Sequence, residues 1–254
     1  NIELRKYLIK VEKNIPLFSD NDRDKFWKDL QYPEYYLHLD SEKLNFNVFI
    51  SKDEVKADII SFNYTKTIES LLGEKYNKKN NDPFVTNPFT IKSIKHIHGS
   101  LNNSNILFGV NDISQIANID FQYDESIQDL IIKPKANLEF GAFLSQECIS
   151  LIQHANVFYI YGTSLGPTDQ FWWDWIGDKF RRTSNSVIVF FDYKREGLEE
   201  RMLDIEYISL EREVRKKIMK TMNIQGNEKD YRNRIYIACN REIFPTYPKK
   251  NILL

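Results

Sequence analysis

The feature that most constrains the fold is residues 157–166, with the sequence VFYIYGTSLG, an unbroken apolar run that ends in a turn of small and polar residues. A short apolar run bounded by turn signals is typical of a buried strand in a parallel sheet. Pro167, Thr168 and Asp169 follow it and precede an expected helix. Open α/β sheets bind ligands where such a strand runs into a helix N-terminus. The sequence therefore predicts a ligand site at this turn.

Charge and cysteine content argue against several classes of protein. The 254 residues carry a formal net charge of −1, which gives no overall attraction for nucleic acid or for an anionic membrane. Two cysteines, Cys148 and Cys239, are too few for a disulfide scaffold or a four-cysteine zinc site. No apolar run of transmembrane length and no signal peptide is present. We expect a cytoplasmic protein without a membrane or nucleic-acid partner.

The order of strand and helix patterns predicts the fold class and the domain organisation. Residues 1–50 read as a helical N-terminal segment, and residues 51–254 alternate strand-like runs with helical stretches. This alternation favours an α/β fold, doubly wound around a mostly parallel sheet with helical insertions. All nine glycines lie at Gly73 or later, so the first strand and Gly-rich turn of a nucleotide-binding fold are missing. We expect the two segments to form one compact unit, and either the nucleotide to be held differently or the first strand to belong to a segment missing from this chain.

Polar residues follow three of the predicted strands. Asn63 follows the run Ile59–Phe62, His98 and Gly99 end the alternating run 93–99, and Thr163 and Ser164 lie in the turn at 162–166. Asp192, at the end of the apolar run 187–192, is a fourth candidate. The carboxyl ends of parallel strands face one edge of a sheet, so these residues are expected to converge.

Three other interpretations compete for these residues. Residues 162–166 match the G-x-S-x-G nucleophile elbow of α/β-hydrolases, but all four histidines precede Ser164, which contradicts the order of the hydrolase triad. His96 and His98 are two apart on a predicted strand and form half of a metal site, but no further ligand cluster accompanies them. No metal is therefore expected. The third interpretation gives His98 and Asn63 purely structural hydrogen bonds.

Several of these motifs resemble the AbiH family of phage abortive-infection proteins. The resemblance rests on FNYT at 62–65, HIHG at 96–99, YGTSLG at 161–166 and residues 240–244, and covers most of residues 58–245. It implies an anti-phage effector. AbiH-like chains generally begin with a strand and a Gly-Asn-Gly-Phe-Asp type of turn, which this chain lacks.

A more distant resemblance is to sirtuins and sirtuin-like proteins that consume NAD. Their pattern of Asn, His-Gly and Gly-Thr-Ser corresponds here to Asn63, to His98 with Gly99, and to Gly162–Ser164. The resemblance implies a sirtuin-like or Rossmann-like fold, NAD as ligand or substrate, catalytic roles for Asn63 and His98, and contact of the Gly-Thr-Ser turn with adenosine. The sirtuin zinc cysteines are missing, so cleavage of NAD to nicotinamide and ADP-ribose is expected rather than deacetylation.

Each candidate residue has a chemical role in that reaction. His98 is the expected base, and Asn63 is expected to orient the water or a ribose hydroxyl. Residues 162–164, together with Gly99, are the expected cofactor-binding groups, and Asp192 is expected to accept from the adenosine ribose.

The alternative function is a non-catalytic nucleotide sensor or toxin module that acts through a protein partner. In either case the expected partners are a nucleotide, a phage-derived or host trigger protein and further copies of the chain. A nuclease is disfavoured, because no carboxylate cluster has metal-ligand spacing.

Overall fold

The computed structural model describes residues 2–15, 17–50, 55–73, 89–101, 106–140, 142–192 and 203–239, with the side chains of 138–140 and 142 excepted. The helices are α1 Ile2–Lys13, α2 Asp20–Gln31, α3 Asp40–Phe49, α4 Thr67–Leu72, α5 Ile119–Gln122, α6 Glu125–Ile131, α7 Lys133–Phe140, α8 Ala142–His154, α9 Gln170–Arg182 and α10 Asp204–Thr221. The strands are β1 Val55–Ser61, β2 Phe89–His96, β3 Val157–Tyr161, β4 Val187–Asp192 and β5 Ile235–Cys239. The mixed α/β class predicted from the sequence is confirmed at this level.

Every paired strand in the described part of the chain runs parallel to its neighbour. One sheet pairs β1 with β2, and a second has the order β3-β4-β5. In the second sheet Val157 pairs with Val187. Parallel strands need crossover connections, which α9 and α10 provide between β3, β4 and β5.

Alternate residues of the second sheet enter two different hydrophobic cores. Phe158 and Ile160 belong to a core shared with α8, α9 and α10. Val187 and Val189 belong to a core shared with α2, α3 and α4. Successive side chains of a strand point to opposite faces, so helices cover both faces of the sheet. Helices α2 and α3 of the N-terminal segment thus take part in the same core as the strands.

Helix α2 begins with a reciprocal side-chain cap. Its N-cap is Ser19, whose hydroxyl accepts from the backbone N–H of Asp22, and the carboxylate of Asp22 accepts from the N–H of Ser19. This reciprocal pair satisfies two otherwise free donors. The N-cap of α4 is Lys66, whose side chain forms no capping hydrogen bond.

The predicted strand at 157–161 is confirmed, whereas the strand predicted at 93–99 ends early. β2 runs from Phe89 to His96, and residues 97–98 form a turn. His96 and His98 therefore do not share a strand face.

One stretch that carries the family resemblance, residues 240–244, lies outside the described residues. Among the helices that the structure does describe, none is both long enough and apolar enough to span a bilayer.

Candidate functional site

His98 lies directly after β2 and is buried, with 3% of its surface exposed. Its Nε2 atom is 2.9 Å from Oδ1 of Asp169. Asp169 ends the short 3₁₀ turn Pro167–Asp169 and immediately precedes α9. This contact joins the end of β2 to the segment that follows β3, so two of the predicted junctions meet.

Lys133 compensates the charge of this carboxylate. Its Nζ lies 2.7 Å from the same oxygen of Asp169, and both side chains are largely buried. Burial opposes ionisation of Asp169, but hydrogen bonds from His98 and Lys133 and the nearby positive charge outweigh it and hold the pKa of this carboxyl below its usual range. The N-terminus of α9 favours negative charge as well. Asp169 is therefore ionised at neutral pH.

The imidazole of His98 is neutral at the same pH. Burial lowers the pKa of His98 and outweighs the hydrogen bond with Asp169, which acts in the opposite direction. An ionised carboxylate can only accept, so Nε2 of His98 carries the proton and Nδ1 carries a lone pair. This Nδ1 atom is buried and has no hydrogen-bond partner among the residues that the structure describes. A neutral imidazole that is oriented by a carboxylate and has a free lone pair can act as a general base.

Aromatic rings hold this imidazole in place. The ring of Phe62 meets His98 edge-on at a centroid distance of 5.4 Å and stacks on Trp173 at 5.5 Å. The ring of Tyr64 lies 6.2 Å from the imidazole, and its hydroxyl donates to the carbonyl of Leu107. Burial, reinforced by the neighbouring carboxylate, raises the pKa of Tyr64 to about 12, so this hydroxyl stays protonated. The ring contacts restrict the orientations open to His98.

Lys133 is brought to the site by the segment 106–133. The backbone N–H groups of Val110 and Lys133 donate to the carbonyls of Ile131 and Val110 respectively. The side chain of Asn111 then accepts from the backbone N–H of Phe171 in the first turn of α9. These bonds anchor the segment on the helix that Asp169 precedes.

The turn at 162–166 has a constrained backbone. Gly162 has φ +69°, and a side chain at this position would meet no atom within 4 Å. Leu165 is buried and has φ +55°, a conformation that costs a residue with a side chain on the order of 1–3 kcal/mol. Thr163 Oγ1 accepts from the N–H of Leu165, and Ser164 is exposed. The turn thus leaves open space beside Gly162.

Asn63, which follows β1, forms its hydrogen bond with His96 through its backbone carbonyl and not through its side chain. Its carbonyl accepts from Nδ1 of His96 at 2.7 Å, while Nε2 of His96 contacts Glu69 at 2.8 Å. The hydrogen bond to Glu69 is the main cause of the raised pKa of His96. The side-chain amide of Asn63 is exposed and bonds to no described residue. His96 and His98 therefore have separate carboxylate partners.

The other features of this edge limit what it can bind. Within the described ranges, no group of three or more His, Cys, Asp or Glu side chains is placed to hold a metal ion. A cavity of about 10 Å³ lies beside Lys133 and Asp169, which is room for about one water molecule.

Asp192 ends β4, the strand next to β3. No hydrogen bond joins His98 to Asn63 or Ser164 in the part of the chain that is described.

Comparison with family models gives one match, to bacteriophage abortive infection AbiH, over residues 3–192. That range is well over half of the chain. The chain belongs to the AbiH family. The matched range includes α1 and ends with Asp192, so it begins earlier and ends earlier than the resemblance at 58–245. Searches of curated proteins and of solved structures gave no match. Membership supports a role in abortive infection of phage-infected cells.

Two residues of this AbiH site, Asp169 and Lys133, were not predicted from the sequence. Asp169 had a detectable signal, because it is the acidic residue just before a helix that follows a Gly-containing turn. Lys133 had none, because it lies 36 residues from Asp169 and is the first residue of α7, where no local pattern distinguishes it.

Proposed function

We propose that this AbiH chain binds NAD and hydrolyses it to nicotinamide and ADP-ribose, which halts growth of an infected cell by depleting the cofactor. The observation that carries the proposal is the buried imidazole of His98, oriented by Asp169, with its Nδ1 lone pair free of any hydrogen bond to a described residue. A sirtuin-like or Rossmann-like doubly wound fold is part of the proposal. It is supported by the parallel strands and by helices that pack on both faces of the second sheet.

In the proposed reaction a water oxygen attacks the anomeric carbon of the nicotinamide ribose. The carbon–nitrogen bond breaks, and its electron pair returns to the pyridinium ring, so nicotinamide leaves neutral and needs no acid. Nδ1 of His98 takes the proton of the attacking water, and Asp169 stabilises the resulting imidazolium. The exposed amide of Asn63 orients the water or a ribose hydroxyl.

The nucleotide is proposed to lie over the exposed side of the turn at 162–166. The small cavity beside Lys133 holds about one water molecule, whereas the space beside Gly162 is open. Thr163 and Ser164 supply hydroxyl and backbone donors there, Gly99 lets the backbone approach closely, and Asp192 accepts from the adenosine ribose.

The test is release of nicotinamide by the full chain incubated with NAD, measured by chromatography. His98→Gln should slow release by about 10²- to 10⁴-fold, the usual contribution of a general base. Asp169→Asn should also slow release, because the amide does not stabilise an imidazolium. The control is His154→Gln, at the exposed end of α8. Release by His98→Gln at the unsubstituted rate would eliminate His98 as the base.

A second proposal is a non-catalytic nucleotide sensor or toxin module that works through a phage-derived or host protein, or as an oligomer. The limited cavity at the site favours it, because a one-water cavity does not enclose a reacting sugar. Calorimetry decides between the two: binding of NAD or ADP-ribose without nicotinamide release supports the sensor, and release supports the hydrolase.

A further inference from the structure

A second cavity, of about 750 Å³, lies away from His98 at the C-terminal end of α10. Its walls are the last turns of α10 and the loop at 223–229. A volume of this size lies within the range that holds cofactors and other small molecules. None of the residues predicted from the sequence to bind a ligand lines it.

Positive charge dominates this cavity. Arg212, Lys216 and Lys220 line it from one face of α10, and Lys229 lines it from the loop. Residues four apart lie on one helical face, so the three α10 cations span about 12 Å along the wall. A cation in the last turn of a helix interacts favourably with the helix dipole, which accounts for Lys220. It does not account for Arg212 and Lys216, which lie farther from the C-terminus of α10.

Most of this charge has no counter-ion in the described part of the protein. The one acidic residue that lines the cavity, Glu228, is buried and contacts Arg215 and Arg212, each at 3.1 Å. Lys216, Lys220 and Lys229 are exposed, and none of the three forms an ion pair with another described residue. Three lysines around one concave space therefore repel one another until an anion binds.

The rest of the cavity lining includes apolar side chains and uncharged amides. Met219 and Ile224, which are 6% and 5% exposed, form a small apolar part of the lining, together with the side-chain amides of Gln225 and Asn227. An apolar surface next to hydrogen-bonding amides is the arrangement that receives a base or ribose. We propose that this cavity binds a nucleoside di- or triphosphate, with the phosphates on the lysines and the nucleoside against Met219 and Ile224.

The chain offers a matched control for this site. Lys217 lies on the same helix, carries the same charge and is exposed, but it does not line the cavity. Calorimetric titration of the full chain with ATP should give a Kd below about 1 mM. Lys216→Glu with Lys220→Glu should weaken binding at least about tenfold, whereas Lys217→Glu should change it less than about twofold. Melting curves of the three proteins establish that all are folded.

Three results would overturn the proposal. They are the absence of ATP binding at millimolar concentration, equal loss in the Lys217→Glu variant, and binding of tripolyphosphate or a short single-stranded oligonucleotide as tightly as ATP. The site is independent of the proposed NAD hydrolysis. His98→Gln should leave the ATP affinity unchanged, and the double lysine variant should still release nicotinamide, so either proposal can fail without the other.

Discussion

Glu211 should destabilise the native protein when it ionises, and Glu211→Gln should remove that effect. Its side chain, on α10, is 1% exposed, and its Oε1 has no hydrogen-bond partner in the described structure. Burial, and then the charge of Glu42, raise the pKa of Glu211 from its ordinary value of 4.5 to about 7, although Arg215 and Arg232 act in the opposite direction. Between these two values the native state holds a proton that the unfolded state has lost. Stability therefore falls as pH rises through this window.

The magnitude follows from the same pKa. A change from 4.5 to about 7 corresponds, at about 1.4 kcal/mol per pH unit, to about 3 kcal/mol lost by pH 8. Glutamine has the shape of the protonated acid and does not ionise. Its amide still needs hydrogen bonds in a buried place, so we expect Glu211→Gln to stabilise the protein by about 1–3 kcal/mol at pH 8 and by less than about 0.5 kcal/mol at pH 4.5.

Urea unfolding followed by tryptophan fluorescence measures this difference. The free energies of unfolding of the unsubstituted chain and of Glu211→Gln are compared at pH 4.5 and pH 8. Glu125→Gln, at an exposed position in the first turn of α6, controls for the loss of a carboxylate. A Glu211→Gln protein that is less stable than the unsubstituted chain at pH 8 would refute the reasoning. It would mean that Glu211 is ionised and favourably paired in the native state.

Three further predictions test the packing and the site. Arg215→Met should lower the free energy of unfolding by about 3 kcal/mol in urea, because it removes the buried cation beside Glu228 and Glu42 and leaves each carboxylate with one partly exposed arginine, Arg212 and Arg232 respectively. Gly177→Ala should lower the melting temperature by several degrees, since the new Cβ would lie 2.0 Å from a carbonyl oxygen just after α10, whereas Gly166→Ala, whose Cβ meets nothing closer than 3.5 Å, should change it little. Lys133→Met should raise the pKa of His98 in an NMR titration, because Lys133 disfavours its protonation; an unchanged or lower pKa would contradict this assignment.

Local patterns were enough to place β3 and β4. The apolar run at 157–161 forms β3, and the run ending at Asp192 forms β4, because continuous apolar residues can be buried on both faces of a parallel sheet. The alternating pattern at 93–99 located β2 but not its bounds, since β2 runs from Phe89 to His96. The family was also recognisable, since its motifs are contiguous stretches of sequence.

Long-range packing decided the partners of the charged side chains. His96 and His98 are two residues apart, yet one contacts Glu69 and the other contacts Asp169, because β2 ends between them. Arg215 and Lys216 are adjacent in one basic run, yet the first is buried against Glu228 and the second lines an open cavity. The spacing of residues along one helix or strand does not distinguish these cases. The partner of each charged side chain depends on which other element packs against it.

The sequence by itself therefore determined where β3 and β4 run, which family the chain belongs to and that His98 is a candidate base. Only the tertiary structure decided that Asp169 and Lys133 complete the site of His98, and that α10 carries a basic cavity. Apolar periodicity is a pattern within a single helix or strand, so the spacing of its apolar residues indicates which of them are buried. Ion pairs and hydrogen bonds between elements depend on distances of a few ångströms, and only the packing of the folded chain sets those distances.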